Sequence, residues 1–238
     1  DADLDMAIET LTDMVTDSRL DEEDFSLERG VILDELAMGE DSPTDTVHAT
    51  FQLAVHGDRP IGRPVGGTPE AIREVERADV WEHYQAHYGP SSLIVAAAGN
   101  VDHDSVCGRV QAALEGSPWD AGSAASPRPR RSTTVTPIAD HDKDITRRRD
   151  VTQAHVIIGC EGLAATDPAG PTMSVLLSVL GGSMSSRLFQ EVREKRGLAY
   201  TTYAFDVAYS DTGTFGMYAG CSPDKVGEVE AIMRAQLE

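Results

Sequence analysis

The run Leu27-Glu28-Arg29-Gly30-Val31-Ile32-Leu33-Asp34-Glu35-Leu36-Ala37-Met38-Gly39-Glu40 constrains this chain more than any other stretch. Val31, Leu33, Leu36 and Ala37 recur at roughly helical spacing. Glu28 and Glu35 stand seven residues, or about two turns, apart, so both carboxylates leave nearly the same helical face. The result is an acidic helix with one apolar side. Spacing alone reads the two glutamates as solvated charges, and leaves an acidic interaction module open as a function.

Composition narrows the classes. With 238 residues and 40% hydrophobic content the chain can bury two cores of ordinary size. Its 238 residues contain no apolar run long enough to span a bilayer, and the first of them are acidic rather than patterned as a signal peptide; a segment upstream could still carry one. A net charge of −20 opposes binding to nucleic acid or an anionic membrane, both of which would repel it. Cys107, Cys160 and Cys221 are far apart and form no C-x-x-C, so they read as buried reduced thiols of a cytoplasmic protein. The basic residues Arg128, Arg130, Arg131, Lys143, Arg147, Arg148 and Arg149 collect mid-chain, where a solvated linker is the simplest reading and a docking surface for acidic peptide the other.

Along the chain, Leu4, Ile8, Leu11 and Val15 have helical period from the first residues, and Val226, Val229, Met233 and Leu237 keep it to the last. The expectation is a fragment cut at both ends. Asp45 to His56, Thr68 to Glu76, Ala78 to Tyr88 and Asp104 to Glu115 read as helices. Leu93 to Asn100 is a compact apolar run, expected to be a buried strand. His56 to Thr68 carries too many Gly and Pro for regular structure and marks a shaped loop. It lacks the G-K-[ST] of a phosphate cradle. His83 and His87 have the i, i+4 spacing of a zinc helix, yet Tyr84 and Ala86 stand where a general-base acid would be needed, which favours a structural pair. Gly116 to Pro137, rich in Ser, Ala, Pro and Arg, joins two domains, at 1–118 and 133–238, with the linker at 119–132. In the second domain Thr133 to Ile138 and Ala154 to Cys160 read as strands, Gly170 to Leu180 and Ser183 to Arg196 as helices, and Ala199 to Tyr209 with Thr214 to Gly220 as a hairpin. Without a G-x-S-x-G elbow, a serine hydrolase is disfavoured.

Two phrases carry a resemblance. Glu28-Arg29-Gly30-Val31-Ile32-Leu33-Asp34-Glu35-Leu36 with Asp41-Ser42-Pro43, and Ser185-Ser186-Arg187-Leu188-Phe189-Gln190-Glu191-Val192-Arg193-Glu194-Lys195-Arg196-Gly197-Leu198-Ala199-Tyr200, are similar to the insulinase or mitochondrial-processing-peptidase family of zinc peptidases, the inverzincins. The loop Gly57 to Thr68 resembles one found there too, and the motifs follow in the family's order over nearly the whole chain. The resemblance implies an α+β fold of two similar domains, each a mostly antiparallel sheet packed with helices and each truncated here. It also implies a zinc endopeptidase acting on extended peptides.

Carried over by position, the resemblance makes Glu35 a Zn²⁺ ligand and Glu28 an acid that supports the site. The two His ligands and the general-base Glu of the H-x-x-E-H helix would lie upstream of Asp1, so the fragment alone would be inactive. Arg193 and Tyr200 would reach the substrate from the C-terminal domain, offering a cation and a phenolic donor to a carbonyl oxygen that becomes negative. A homodimer, or a heterodimer with a family member, is the implied assembly. The competing expectation within the family is a non-catalytic subunit or scaffold.

Overall fold

The computed structural model describes residues 3–119 and 143–238. The expected strand at Thr133 to Ile138 and the expected linker, Trp119 apart, lie outside them. The architecture is α+β, and contacts divide the chain into two compact units, Asp1–Leu33 with Pro69–Arg131 and Asp34–Thr68 with Ser132–Glu238. Residues 34–68 thus group with the second unit, whereas the sequence reading places them before the 119–132 linker in the first domain.

The first unit is helical. It contains α1 (Leu4–Thr16), the first part of α2 (Glu22–Asp41), α4 (Pro69–Glu74), α5 (Arg77–His87) and α6 (His103–Glu115), with α3 belonging to the second unit. Their ends are set by local chemistry. Glu76 and Asp79 form a reciprocal capping box at α5, and the Asp102 carboxylate accepts from the Ser105 N–H at 2.9 Å to start α6. Long side chains then tie helices to turns: the Tyr84 hydroxyl donates to the Val15 carbonyl at 2.7 Å, and Arg77 Nε to the Leu20 carbonyl at 2.6 Å. Leu20 has φ 46°, a left-handed conformation costly for a side chain with a Cβ, and Arg77 helps to hold that turn.

Leu93 to Asn100 departs from expectation. After a short turn at Pro90–Ser92 the run is non-helical but joins no sheet among the described residues; Ile94 is 89% exposed. An apolar run becomes a buried strand only when a neighbour takes up its backbone groups and covers its faces, and none of the described residues does so. A cavity of about 780 Å³, lined by Val95, Ala97, Val101, Val106, Val110 and Leu114 among others, lies between it and α6.

The second unit is built on an antiparallel sheet of order β1-β3-β2, from β1 (Ala154–Glu161), β2 (Ala199–Ala208) and β3 (Gly213–Cys221). Central β3 is buried along its whole length, and the period of two sends alternate residues to opposite layers. On one face Phe215, Met217, Ala219 and Cys221 meet Leu180 of α7 (Gly170–Gly181), Leu188 and Val192, and Val229 and Met233 of α8 (Val226–Ala235). On the other face lies α3 (Pro43–His56). The Ser42 hydroxyl caps this helix, Pro43 opens it, and Gly57 at φ 61° ends it.

α3 is seated by shape and by hydrogen bonds. Phe51 lies over Gly159 of β1, where an added Cβ would stand 2.6 Å from the ring and 2.0 Å from the Phe215 carbonyl oxygen. Phe51 meets Phe205 edge-on at 5.8 Å, His48 Nε2 pairs with the Tyr203 hydroxyl at 2.9 Å, and Gln52 donates to Thr214 Oγ1 at 3.4 Å. The stacked rings of Tyr203 and Tyr218, 4.7 Å apart, carry the layer on to His155, whose Nδ1 pairs with the Tyr218 hydroxyl at 2.8 Å.

The cysteine expectation needs correction. All three thiols are free, but Cys107 and Cys160 are exposed and Cys221 alone is buried. In Cys160 the side chain falls near the end of an edge strand, where the helices no longer cover it. Among the described residues no helix is long and apolar enough to cross a membrane.

Two outcomes follow from the α3 layer. Phe51→Ala leaves a void over Gly159 and is expected to cost about 3 kcal/mol or more, read from denaturant melts; a loss under about 1 kcal/mol would show that the ring does not seat α3. Burial pushes the pKa of His48 down, with Asp45 opposing, and burial pushes that of His155 down as well. A histidine held below its ordinary value of 6.5 leaves the unfolded chain binding more protons, so stability is full above that pH and is lost as pH falls below it. Melting temperatures between about pH 7.5 and 5.5 should therefore fall, and His48→Gln should flatten that slope. An unchanged slope would remove His48 from the account.

Candidate functional site

Four residues were singled out by sequence, and they divide between α2 and the approach to β2. α2 opens with Glu22, Glu23 and Asp24 in its first turn, where the helix dipole favours acids. Its far end is held by Arg149, which donates to the Glu40 carboxylate at 2.9 Å and to the Glu40 carbonyl, a cation at the negative helix end. Arg149, one of the mid-chain basic residues, is exposed as a solvated segment would have it, and is also paired. Glu28 lies on the part of α2 within the first unit and Glu35 on the part within the second; both side chains are exposed. Leu36, next to Glu35, packs close against Gly66 of the Gly57–Thr68 loop, where an added Cβ would stand 3.0 Å from Leu36 Cδ2.

Arg193 and Tyr200 are brought together. The guanidinium carbon of Arg193 is 4.5 Å from the centroid of the Tyr200 ring and 4.7 Å from that of Phe189. Three departures from regular structure make this possible. Residues Phe189–Glu194 form a π-helical turn, a rare geometry that recurs at functional sites. Gly197, at φ 62°, reverses the chain, with its N–H bonded to the Arg193 carbonyl at 2.8 Å. Tyr200 then falls at a register shift between β2 and β3, where Ala199 pairs with Cys221 and Thr201 with Gly220. It is therefore the extra residue of a bulge and stands 74% exposed.

Neighbouring charges are already committed. Arg196 and Lys195 both bind the Glu191 carboxylate and hold its pKa down to about 2, Arg196 more strongly. Arg193 reaches a carboxylate only at the limit of ion pairing, with Nε 4.0 Å from Glu194 Oε1. A planar cation set against two rings keeps its N–H edges directed outward, which suits an oxygen that gains negative charge. Beside it, the Tyr200 phenol supplies a second donor.

No hydrogen bond, ion pair or ring contact among the described residues joins Glu35 to the Arg193–Tyr200 pair. Nor do three or more His, Cys, Asp or Glu converge where they could hold a metal among those residues. The described residues therefore do not by themselves fit a zinc centre; of the residues singled out as a metal ligand they offer one carboxylate, Glu35. His83 and His87 sit with ring centroids 4.2 Å apart and belong to no such group.

The sequence assigns no role to Phe189 or Gly197 and does not show the π turn. The available signal was an aromatic residue four places before Arg193 and a glycine directly after two cations, neither of which specifies a π turn or a bulge.

The family described as "Peptidase M16 inactive domain" matches residues 74–238. An uncharacterized zinc protease of Streptomyces coelicolor is 47% identical over 239 residues, which is 100% of this chain and 52% of that protein. A protein of the same description from Mycobacterium leprae is 37% identical over 98% of this chain and 52% of its own length, so the chain spans about half of these curated relatives. Among solved structures, a protease from Helicobacter pylori superposes with TM-score 0.78 at 20% identity, covering 97% of this chain and 57% of that one. The peptidase M16 inactive domain from Pseudomonas fluorescens gives 0.74 at 17% identity, covering 97% and 55%. A chain of complex III2 from Candida albicans gives 0.81 at 18%, covering 99% and 57%. These likenesses support the fold. No H-x-x-E-H occurs among the 238 residues. With the family matched over more than half of its length and related sequences aligned from end to end, the chain belongs to the M16 peptidase family.

Proposed function

We propose that this chain is the part of a zinc endopeptidase that contacts an extended peptide substrate and completes a metal site whose other ligands lie outside it. The observation that carries the reading is the Arg193–Tyr200 pair: two donors placed side by side by a π turn, a left-handed glycine and a bulge. Such costly local geometry persists where the surrounding structure enforces it, and it clusters at functional sites. Relatives named as zinc proteases support the same class.

In this reading Arg193 and Tyr200 donate to the oxygen of the scissile carbonyl as it takes up charge, and being held in place beforehand they lose little on reaction. Glu35 supplies one carboxylate ligand, and two histidines from outside the chain supply the others; Glu28 supports the site electrostatically. Because the described residues do not make a metal centre, the chemistry assigned to this chain ends at the carbonyl oxygen. A peptide substrate, a dimer with a second copy or a family member, and a cytoplasmic location belong to the same proposal; the free thiols support the last. The strongly acidic balance disfavours nucleic-acid and anionic-membrane partners.

A second reading, a non-catalytic family subunit, is favoured by one observation: the matching family description is that of an inactive domain. Cleavage assays separate the two. In a polypeptide extended to the length of the relatives, an unstructured peptide should be cut, and Arg193→Ala should lower kcat about 100-fold with zinc content unchanged. Tyr200→Phe keeps the ring and loses the hydroxyl, so about a tenfold loss is expected. Equal turnover in Arg193→Ala and parent would remove Arg193 from the mechanism. No cleavage by the extended parent would favour the subunit reading.

A further inference from the structure

We infer that Phe189 is a positioning residue that keeps the Arg193 guanidinium against Tyr200 and away from Glu194. The inference rests on the proposed role of Arg193 and adds the element that fixes its side chain. Arg193 has two neighbours competing for it. On one side are the rings of Phe189 and Tyr200, at 4.7 and 4.5 Å; on the other is the Glu194 carboxylate, with Oε1 4.0 Å from Nε.

The rings differ in exposure. Tyr200 is 74% exposed at a bulge, directly after the buried Ala199. Phe189 is half-buried, lies between Leu188 and Val192 in distance along the chain, and both of these are fully buried in the core beneath the sheet. The π turn that begins at Phe189 sets its ring on the same side as Arg193. Phe189 is thus the less exposed, inner ring of the two against Arg193.

Losing the inner ring would leave a long, flexible cation beside a carboxylate, and a closed Arg193–Glu194 ion pair would occupy the N–H edges that the substrate oxygen needs. Glu191 cannot draw Arg193 away in the same manner, since Lys195 and Arg196 already fill it. Phe189 and Glu194 are therefore opposed, and this opposition makes the inference testable apart from simple stability.

In the chain itself, the Arg193 Nε–H signal in NMR should be displaced upfield by the two ring currents. Phe189→Leu should move it toward the position of a free arginine, Phe189→Tyr should leave it, and Phe189→Leu with Glu194→Gln should abolish any ion-pair signature. In the extended polypeptide, Phe189→Leu should lower kcat about tenfold at nearly constant KM, with Phe189→Tyr close to parent and Glu194→Gln restoring part of the loss. A Phe189→Leu variant that keeps parental kcat and Nε–H shift, or one whose loss Glu194→Gln does not relieve, overturns the inference. If Arg193→Ala lowers turnover and Phe189→Leu does not, the positioning role fails and the function stands; if neither does, the role of Arg193 fails with it.

Discussion

The second unit depends on a strand with no exposed side. β3 gives Phe215, Met217, Ala219 and Cys221 to the helices of one layer, and Thr214, Gly216 and Tyr218 to α3 on the other. Burial of both faces removes apolar area from water twice along one strand, which is why nine consecutive residues are buried there while the two flanking strands stay partly open. Close approach is built in by small residues. Gly159 admits Phe51, and Gly216 admits the Phe205 ring, whose atoms come within 2.5 Å of where a Cβ would stand. Larger side chains at either place would hold the α3 layer off.

The candidate site sits where this regular packing ends. β2 pairs with β3 in unbroken register from Thr201 to Ala208, and the irregularity is confined to the residue just before, Tyr200. Upstream, Leu188 and Val192 are locked into the core while Arg193, between them and the glycine turn, is left half-buried. The arrangement gives a rigid base and a polar tip, which is what a donor pair needs if it is to meet a developing charge without first being ordered. α3 and the end of α2 are joined by Ser42 alone, so the seating of α3 on the sheet also governs the segment that carries Glu35.

Much of this was legible in the sequence where the cause is local. The helices near Asp45 and Asp104, the glycine-rich loop that follows α3, and the strands near Ala154, Ala199 and Thr214 all announce themselves within a few residues. The π turn was hidden because its residues look helical by period, and the expected helix from Ser183 to Arg196 is instead a turn followed by a short helical stretch ending in that geometry. The docking of α3 on β1 and β3 was hidden for another reason: His48 and Tyr203 are 155 residues apart, and no local pattern encodes such a pairing. Leu93 to Asn100 has the composition of a strand, and composition says nothing of whether a neighbour is present to pair with it.

In the proposed function Glu35 is one member of a divided metal site. The most direct measurement is zinc per chain, by metal analysis, in the polypeptide extended to the length of its relatives and in its Glu35→Gln variant. About one zinc is expected in the parent and almost none in the folded variant. Equal zinc in both would contradict this assignment.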